Sequence, residues 1–452
     1  MGAHPVPAMS LSPPAAGLFA GAATIDITPP GSVFLFGYPH VRRYSTGVND
    51  PLECAALYLH GEGGAAIFLA VDLIFFSTAF ARDIRRRIAA AVDVAEAAIL
   101  LSATHTHSGP VTADMLSNAA DAAVPKADPV YLAWLGDRLV AAAFAAKAAA
   151  GPAELGLTEV QAAGVGTNRH DPTGPADPAV SVLIVRAQAT GSPLACLLVY
   201  AMHPTVLHED STLISGDFPA FTRQALRRGP LPASCPVLYH NGASGDQSPR
   251  HVTRANTVAE AQRLGATLAA TIAAALPRLR YRRDLAVSCR RRMIELAPRT
   301  FPPAPAAEDA LAKARIRFQR LREAGAARTL VRTAECDMFG AEETAELARA
   351  AVDGRLAVAV RACQPAEIQL IQLGPWRFVA WPGEFFVEYA LAVKARAPET
   401  FVVTLANGEL QGYIVTPDAA HHGSYEALNA VFSPANGNRF VEATLALLHE
   451  PA

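Results

Sequence analysis

Ala98-Ile-Leu-Leu-Ser-Ala-Thr-His-Thr-His-Ser-Gly-Pro110 begins with an unbroken apolar run and ends in polar, turn-forming residues. Such a run, bounded by turn residues, predicts a strand buried on both faces, as in an α/β architecture. Side chains two apart on a strand share a face, so His105 and His107 are expected to present both imidazoles to one site. The plainer reading of the same pair is two satisfied histidines at a strand end.

The flanking chain supports alternation of strands and helices. Upstream, Thr24–Thr28 alternates like a strand and stops at Pro29-Pro30-Gly31. Ala55–His60 and Ala65–Val71 flank Gly61–Gly64 as a hairpin would. Phe80–Val92 has apolar residues at helical spacing with Arg82, Arg85, Arg86 and Arg87 on its wet side, and Leu132–Ala150 reads as an Ala-rich helix stopped by Gly151-Pro152. Downstream, strands are expected at Val180–Ala187, Leu194–Ala201 and Pro236–His240, and helices at Ala220–Arg228 and Val258–Leu279. Ile368–Leu373 and Arg377–Trp381 suggest a second hairpin around Gly374-Pro375. The charged stretch Glu308–Leu356 reads as a mostly helical insertion over about 304–360. With no internal repeat, the expectation is one large α/β (mixed α+β) domain over 21–452, its mixed sheets flanked by helices, after a flexible tail from Met1 to about Ala20.

Composition excludes several classes. The chain has 452 residues, 51% hydrophobic and 18% charged, far from the disordered class. Its 39 Lys+Arg against 41 Asp+Glu leave a net charge of −2, which argues against nucleic acid or an anionic membrane surface as the main partner. The apolar stretches Ala65–Phe76 and Leu139–Ala150 fall short of the roughly 18 residues a spanning helix needs, so no stable membrane insertion is expected. No Lys or Arg precedes the apolar part of the N-terminus, which points to a cytoplasmic protein, or to a secreted or periplasmic one if a leader has been removed. Six scattered cysteines without CxxC spacing read as reduced and buried. Nothing in the composition decides the oligomeric state.

Further candidates sit at other strand ends. His203 follows the apolar run Leu197–Met202 and precedes Pro204; read alone, it is a core histidine. Glu384 follows the strand ending in Trp381-Pro-Gly and reads either as a ligand or as a cap on a helix beginning near Phe385. Tyr239–Pro249 is a strand opening into a Gly-rich polar loop, but Ser244 lacks the G-x-S-x-G frame of a nucleophile elbow. Two or more histidines with a carboxylate suggest a mononuclear metal site, and nitrogen and oxygen ligands without thiolate favour zinc.

Ser102-Ala-Thr-His-Thr-His-Ser-Gly-Pro110, together with Gly245-Asp-Gln-Ser-Pro249, Asn168-Arg169, Pro382-Gly-Glu384, Gly412-Tyr413, Asp26-Ile-Thr28 and Gly37-Tyr38, resembles the neutral (non-lysosomal) ceramidase family. The resemblance runs from about Gly21 to the C-terminus and implies the catalytic domain alone, without the family's C-terminal β-sandwich domain. It implies a zinc amidohydrolase that cleaves the N-acyl bond of ceramide, a sphingolipid. His105, His203, Glu384 and Tyr413 would be the zinc ligands, and His107 a proton shuttle beside the reacting water. Arg169 and Tyr425 would stabilise the oxyanion, and Ser248 would be nucleophile or substrate-positioning hydroxyl. Gln247 and Ser248-Pro-Arg250 stand where the family has Val and then Ser-Pro-Asn.

The leading expectation is therefore a Zn2+-dependent hydrolase of an N-acyl amide in a small amphiphile, attacked by water. Two alternatives remain open: an ester, lactone or non-sphingolipid amide hydrolase on the same zinc scaffold, and a non-catalytic binding protein retaining the fold. A serine hydrolase using Ser248 is a third.

Overall fold

The computed structural model describes residues 17–38 and 40–450. Twelve strands of four or more residues build two mixed sheets. The larger uses β1 (Leu18–Asp26), β2 (Glu53–Gly61), β3 (Gly64–Val71), β4 (Ile99–Ala103), β5 (Gly151–Gln161), β6 (Ala179–Ala187), β7 (Pro193–Tyr200) and β8 (Val237–Asn241), in spatial order β8-β7-β6-β5-β1-β2-β3-β4. The smaller uses β9 (Val287–Ile294), β10 (Ala366–Leu373), β11 (Trp376–Ala380) and β12 (Thr400–Val403), in sequence order. The mixed α/β class read from the sequence is the observed one.

The two sheets pack face to face. Along β2, Ala55, Leu57 and Leu59 point toward the second sheet, where they join Leu373, Phe378 and Phe401. Cys54, Ala56 and Tyr58 point the other way, against helices α1 (Thr78–Val92) and α2 (Pro129–Ala148). Strand side chains alternate between faces, so a strand buried on both sides must be apolar at every position. Helices α3 (Asp217–Arg228) and α4 (Val258–Ala275) cover the β6–β8 half of the same outer face. The outer face of the small sheet is closed by α8 (Val387–Arg396) and α11 (Ala435–His449). The result is a four-layer α/β/β/α sandwich, in which each fully buried Leu or Phe contributes about 1.5–3 kcal/mol.

Between β9 and β10 the chain leaves the sandwich as α5 (Ala304–Glu323), α6 (Arg328–Asp353) and α7 (Arg355–Ala362), the helical insertion expected from the charge pattern. The short helices α9 (Pro417–His422) and α10 (Tyr425–Asn429) complete the set. One boundary is corrected: Leu18–Ala20, assigned to a tail, begin β1, because all three pair with β5 and Phe19 and Ala20 pair with β2 as well. Residues 1–16 of that expected tail lie outside the described residues. Among the described residues, no helix is long and apolar enough to cross a membrane. All six cysteines are free.

Among the described residues, three strand–helix–strand units make the parallel pairs of the two sheets: β3-α1-β4, β7-α3-β8 and β11-α8-β12. Each sends its carboxyl-end loops to one region, the place where open α/β sheets bind ligands.

Candidate metal and catalytic site

His105 lies two residues beyond β4, His203 three beyond β7 and Glu384 four beyond β11. His105 Nε2 stands 2.9 Å from His203 Nε2, and Glu384 Oε2 is 3.1 and 3.2 Å from those two nitrogens. All three side chains are buried or nearly so. Each histidine spends its ring Nδ1–H on a backbone carbonyl: His105 donates to Ile74 O (2.8 Å) and His203 to Ser244 O (2.6 Å). Carbonyls only accept, so in the neutral rings Nε2 carries a lone pair. Burial, with His105 beside it, lowers the His203 pKa to about 4, which keeps that ring neutral at pH 7.

Three acceptors therefore face one another with no hydrogen between them, and Glu384 Oε2 has no hydrogen-bond donor despite its two close nitrogens. Unpaired buried acceptors are costly. A cation at their centre removes the conflict, and zinc ligands at about 2.0–2.1 Å in a tetrahedron are about 3.3 Å apart, close to the spacing here. The residues fit a metal ion.

His107 belongs to the same group. Its Nε2 lies 3.4 Å from His105 Nε2, its Nδ1 donates to Gly37 O (3.0 Å), and the ligand nitrogens of His105, His107 and His203 all fall within 4.8 Å of one another. Burial first, then the neighbouring histidines, holds His107 well below the usual imidazole range. Gly37 has φ +120°, and a Cβ there would sit 2.5 Å from His107 Cγ, so only glycine allows this approach.

The strand-alternation argument for His-x-His is corrected. β4 ends at Ala103, and His105 adopts φ +72°, a left-handed conformation that strains a non-glycine residue by about 1–3 kcal/mol. Its amide bond to Leu73 O and its ring bond to Ile74 O hold it there. A sharp bend, not the pleat, aims both rings at one point. The helix-cap reading of Glu384 is likewise set aside: Phe386 is the N-cap of α8, and Glu384 pairs in parallel with Tyr413 in a two-residue ladder.

That pairing puts Tyr413 next to Glu384, and the Arg169 guanidinium carbon lies 5.5 Å from the Tyr413 ring centroid. Burial, then the Glu384 charge, raises the Tyr413 phenol. Arg169 Nη2 bonds Glu426 (2.6 Å) and Gly245 O (2.5 Å), while its buried Nε has no partner. Glu426, whose burial is outweighed by Arg169, has a pKa of about 2 and is ionised. Tyr425 is in the same cluster, 6.4 Å from Tyr413 between ring centroids, with its Oη 3.3 Å from Glu343 Oε1. Ser248 is buried nearby, but its Oγ accepts from Arg250 N (3.3 Å), and His251 turns to Arg169 O (3.2 Å). No histidine bonds Ser248 Oγ among the described residues.

The Gly-rich loop 242–248 acts as a bracket. Besides holding His203 through Ser244 O, it donates Gly245 N to Phe385 O (2.7 Å) and accepts Arg169 N at Asp246 O (2.7 Å). The Asp246 carboxylate takes Asn168 Nδ2 on one oxygen and Val387 N on the other, both at 2.9 Å. Sequence reasoning quoted this loop but gave Asp246 no role, and it missed Glu343, Glu426 and His170, whose Nε2 lies 3.0 Å from Glu426 Oε2. Only Asp246 carried a usable signal: an acidic residue directly after the turn glycine Gly245, with no α-helix to cap.

Comparison with known proteins agrees with this architecture. Residues 19–225 match the family model described as neutral/alkaline non-lysosomal ceramidase, N-terminal. A crystal structure of neutral ceramidase from Pseudomonas aeruginosa shares the fold at a TM-score of 0.71 and 18% identity, over 96% of this chain and 74% of that one. A ceramidase complexed with C2 gives 0.71 at 16% identity, over 96% and 75%. No curated protein matches in sequence.

Proposed function

We infer that this chain, whose residues 19–225 match the neutral/alkaline ceramidase family model and which shares the fold of a neutral ceramidase over nearly its full length, is a zinc-dependent hydrolase of N-acyl amides with a ceramide-like substrate. The observation that carries this reading is the hydrogen-free meeting of His105, His203 and Glu384 beside His107 and Arg169. His105, His203, Glu384 and Tyr413 would hold the ion. When bound, zinc supplies Lewis acidity, polarising a carbonyl and acidifying water toward a pKa of about 7.

The chain's own residues supply the rest. His107 is neutral, its Nδ1–H is tied to Gly37 O, and its Nε2 lone pair is free to take a proton from the attacking water. The same nitrogen then returns that proton to the leaving amine. Arg169 Nε, a buried donor without a partner, and the Tyr425 hydroxyl suit the developing oxyanion. Ser248 serves as a positioning group, since its hydroxyl caps a turn and, among the described residues, no histidine bonds it.

The compact His105, His107, His203 group also supports a second reading, in which His107 is a ligand and Glu384 takes the proton. His107→Ala separates the two: metal content survives under the first and falls under the second. For substrate class, the purified protein is assayed against N-acyl sphingosines, N-acyl amino acids and aryl esters. Fastest turnover of the sphingosine amides supports the reading; ester turnover exceeding all amides would replace it with the esterase alternative.

A further inference from the structure

The helical insertion contributes one carboxyl to this region. Glu343 on α6 is 1% exposed, and its two oxygens have different partners. Oε2 accepts Asn429 Nδ2 at 2.5 Å, while Oε1 lies 3.3 Å from Tyr425 Oη. An amide nitrogen can only donate, so Oε2 must be an acceptor; Oε1, facing a hydroxyl, can either accept or carry the proton. No Lys or Arg pairs with Glu343 among the described residues. The charged groups around it are Glu342, itself paired with Arg315 (3.0 Å), and Asp121, facing His40 (3.3 Å). Beyond Tyr425 lie Tyr413 and the Arg169–Glu426 pair.

We propose that Glu343 is a positioning residue: as a neutral carboxylic acid it donates from Oε1 to the Tyr425 phenol oxygen, leaving the phenol proton for the substrate oxyanion. A phenol has one proton. If Glu343 were ionised, Tyr425 would have to donate to it and would have nothing to offer the substrate. Burial without a cation raises Glu343 to about 8, so the acid form prevails at neutral pH. This inference rests on the hydrolase reading above, in which Tyr425 meets the oxyanion.

The test compares wild type, Glu343→Gln, Glu343→Leu and Tyr425→Phe in kcat, KM and pH profile. Gln can accept from Asn429 and donate to Tyr425, reproducing the neutral acid. The expected result is that E343Q keeps most of kcat and loses the alkaline decline that wild type shows above about pH 8. E343L should lose kcat about as Y425F does, on the order of 10²-fold, with KM little changed. An E343Q variant as impaired as E343L, or one with an unchanged alkaline limb, overturns the proposal. A readout independent of turnover is the 13Cζ-tyrosine NMR signal assigned through Y425F. It should titrate with Glu343 in wild type and stay flat in E343Q. Failure of the hydrolase reading leaves that titration in place, whereas its absence in an active enzyme refutes Glu343 alone.

Discussion

Asp246→Asn tests whether the Gly-rich loop is a bracket for the site and not a source of chemistry. Both carboxylate oxygens of Asp246 accept an N–H, from Asn168 Nδ2 and Val387 N, each at 2.9 Å, and the residue is 2% exposed. An asparagine keeps one acceptor and places its own NH2 against the other donor. Two buried donors then lack partners, at about 1–3 kcal/mol each, for a loss of about 2–6 kcal/mol. The damage falls on the site, because Asn168 precedes Arg169 and Val387 lies three residues beyond Glu384. Removing such outer support lowers metal affinity by about 10–100-fold. Competition with a chromophoric chelator measures the affinity, and thermal denaturation of the metal-free protein measures the stability. D246N with wild-type zinc affinity and wild-type melting would refute the bracket.

Four further outcomes follow from the same geometry. Gly37→Ala should cut kcat sharply while leaving zinc content intact, as read by elemental analysis beside steady-state rates, since its Cβ would collide with His107 and not with His105, His203 or Glu384. Ser248→Ala should retain most activity in the same assay, its hydroxyl being a turn cap, whereas a serine acyl-enzyme predicts near-complete loss. Glu426 has a folded pKa of about 2 against about 4.3 unfolded, so its stabilisation is present above the unfolded value and lost as pH falls toward 2. Melting curves from pH 6 to 2 should therefore show a decline that Glu426→Gln flattens. Glu343 has the opposite sign: its folded pKa of about 8 lies above the unfolded value, so stability falls as pH rises from about 4.3 to 8. Melting at pH 9 should show E343Q more stable than wild type.

Much of the scaffold was legible because its strands are buried on both faces and read as unbroken apolar runs. Ile99–Leu101 and Leu194–Tyr200 are such cases, as is the β2–β3 hairpin with its turn glycines. β9 was missed because Arg290, Arg291 and Arg292 fill its middle; it is an edge strand whose charged side chains reach solvent or Glu450 and Glu367. α11 was missed because its N-terminal stretch Ala435–Asn438 carries glycine and two asparagines and has no side-chain cap.

In the site, the residue types were readable and their geometry was not. His105, His203 and Glu384 come from three separate strand–helix–strand units, and only tertiary packing brings their ring and carboxylate atoms to about 3 Å. The left-handed bend at His105 has no local sequence signal such as glycine or asparagine. Glu343 was hidden in a helix rich in charge, where nothing in the sequence distinguishes the acids that turn inward, Glu343 and Glu346, from their more exposed neighbours.

The most direct test is the metal stoichiometry of the purified protein, followed through chelation and zinc readdition while hydrolysis of an N-acyl amide is measured on the same samples. The account predicts about one zinc per chain, loss of activity with loss of metal, its return with zinc, and neither metal nor activity in His203→Ala. Full amide hydrolysis by protein stripped of metal would contradict it.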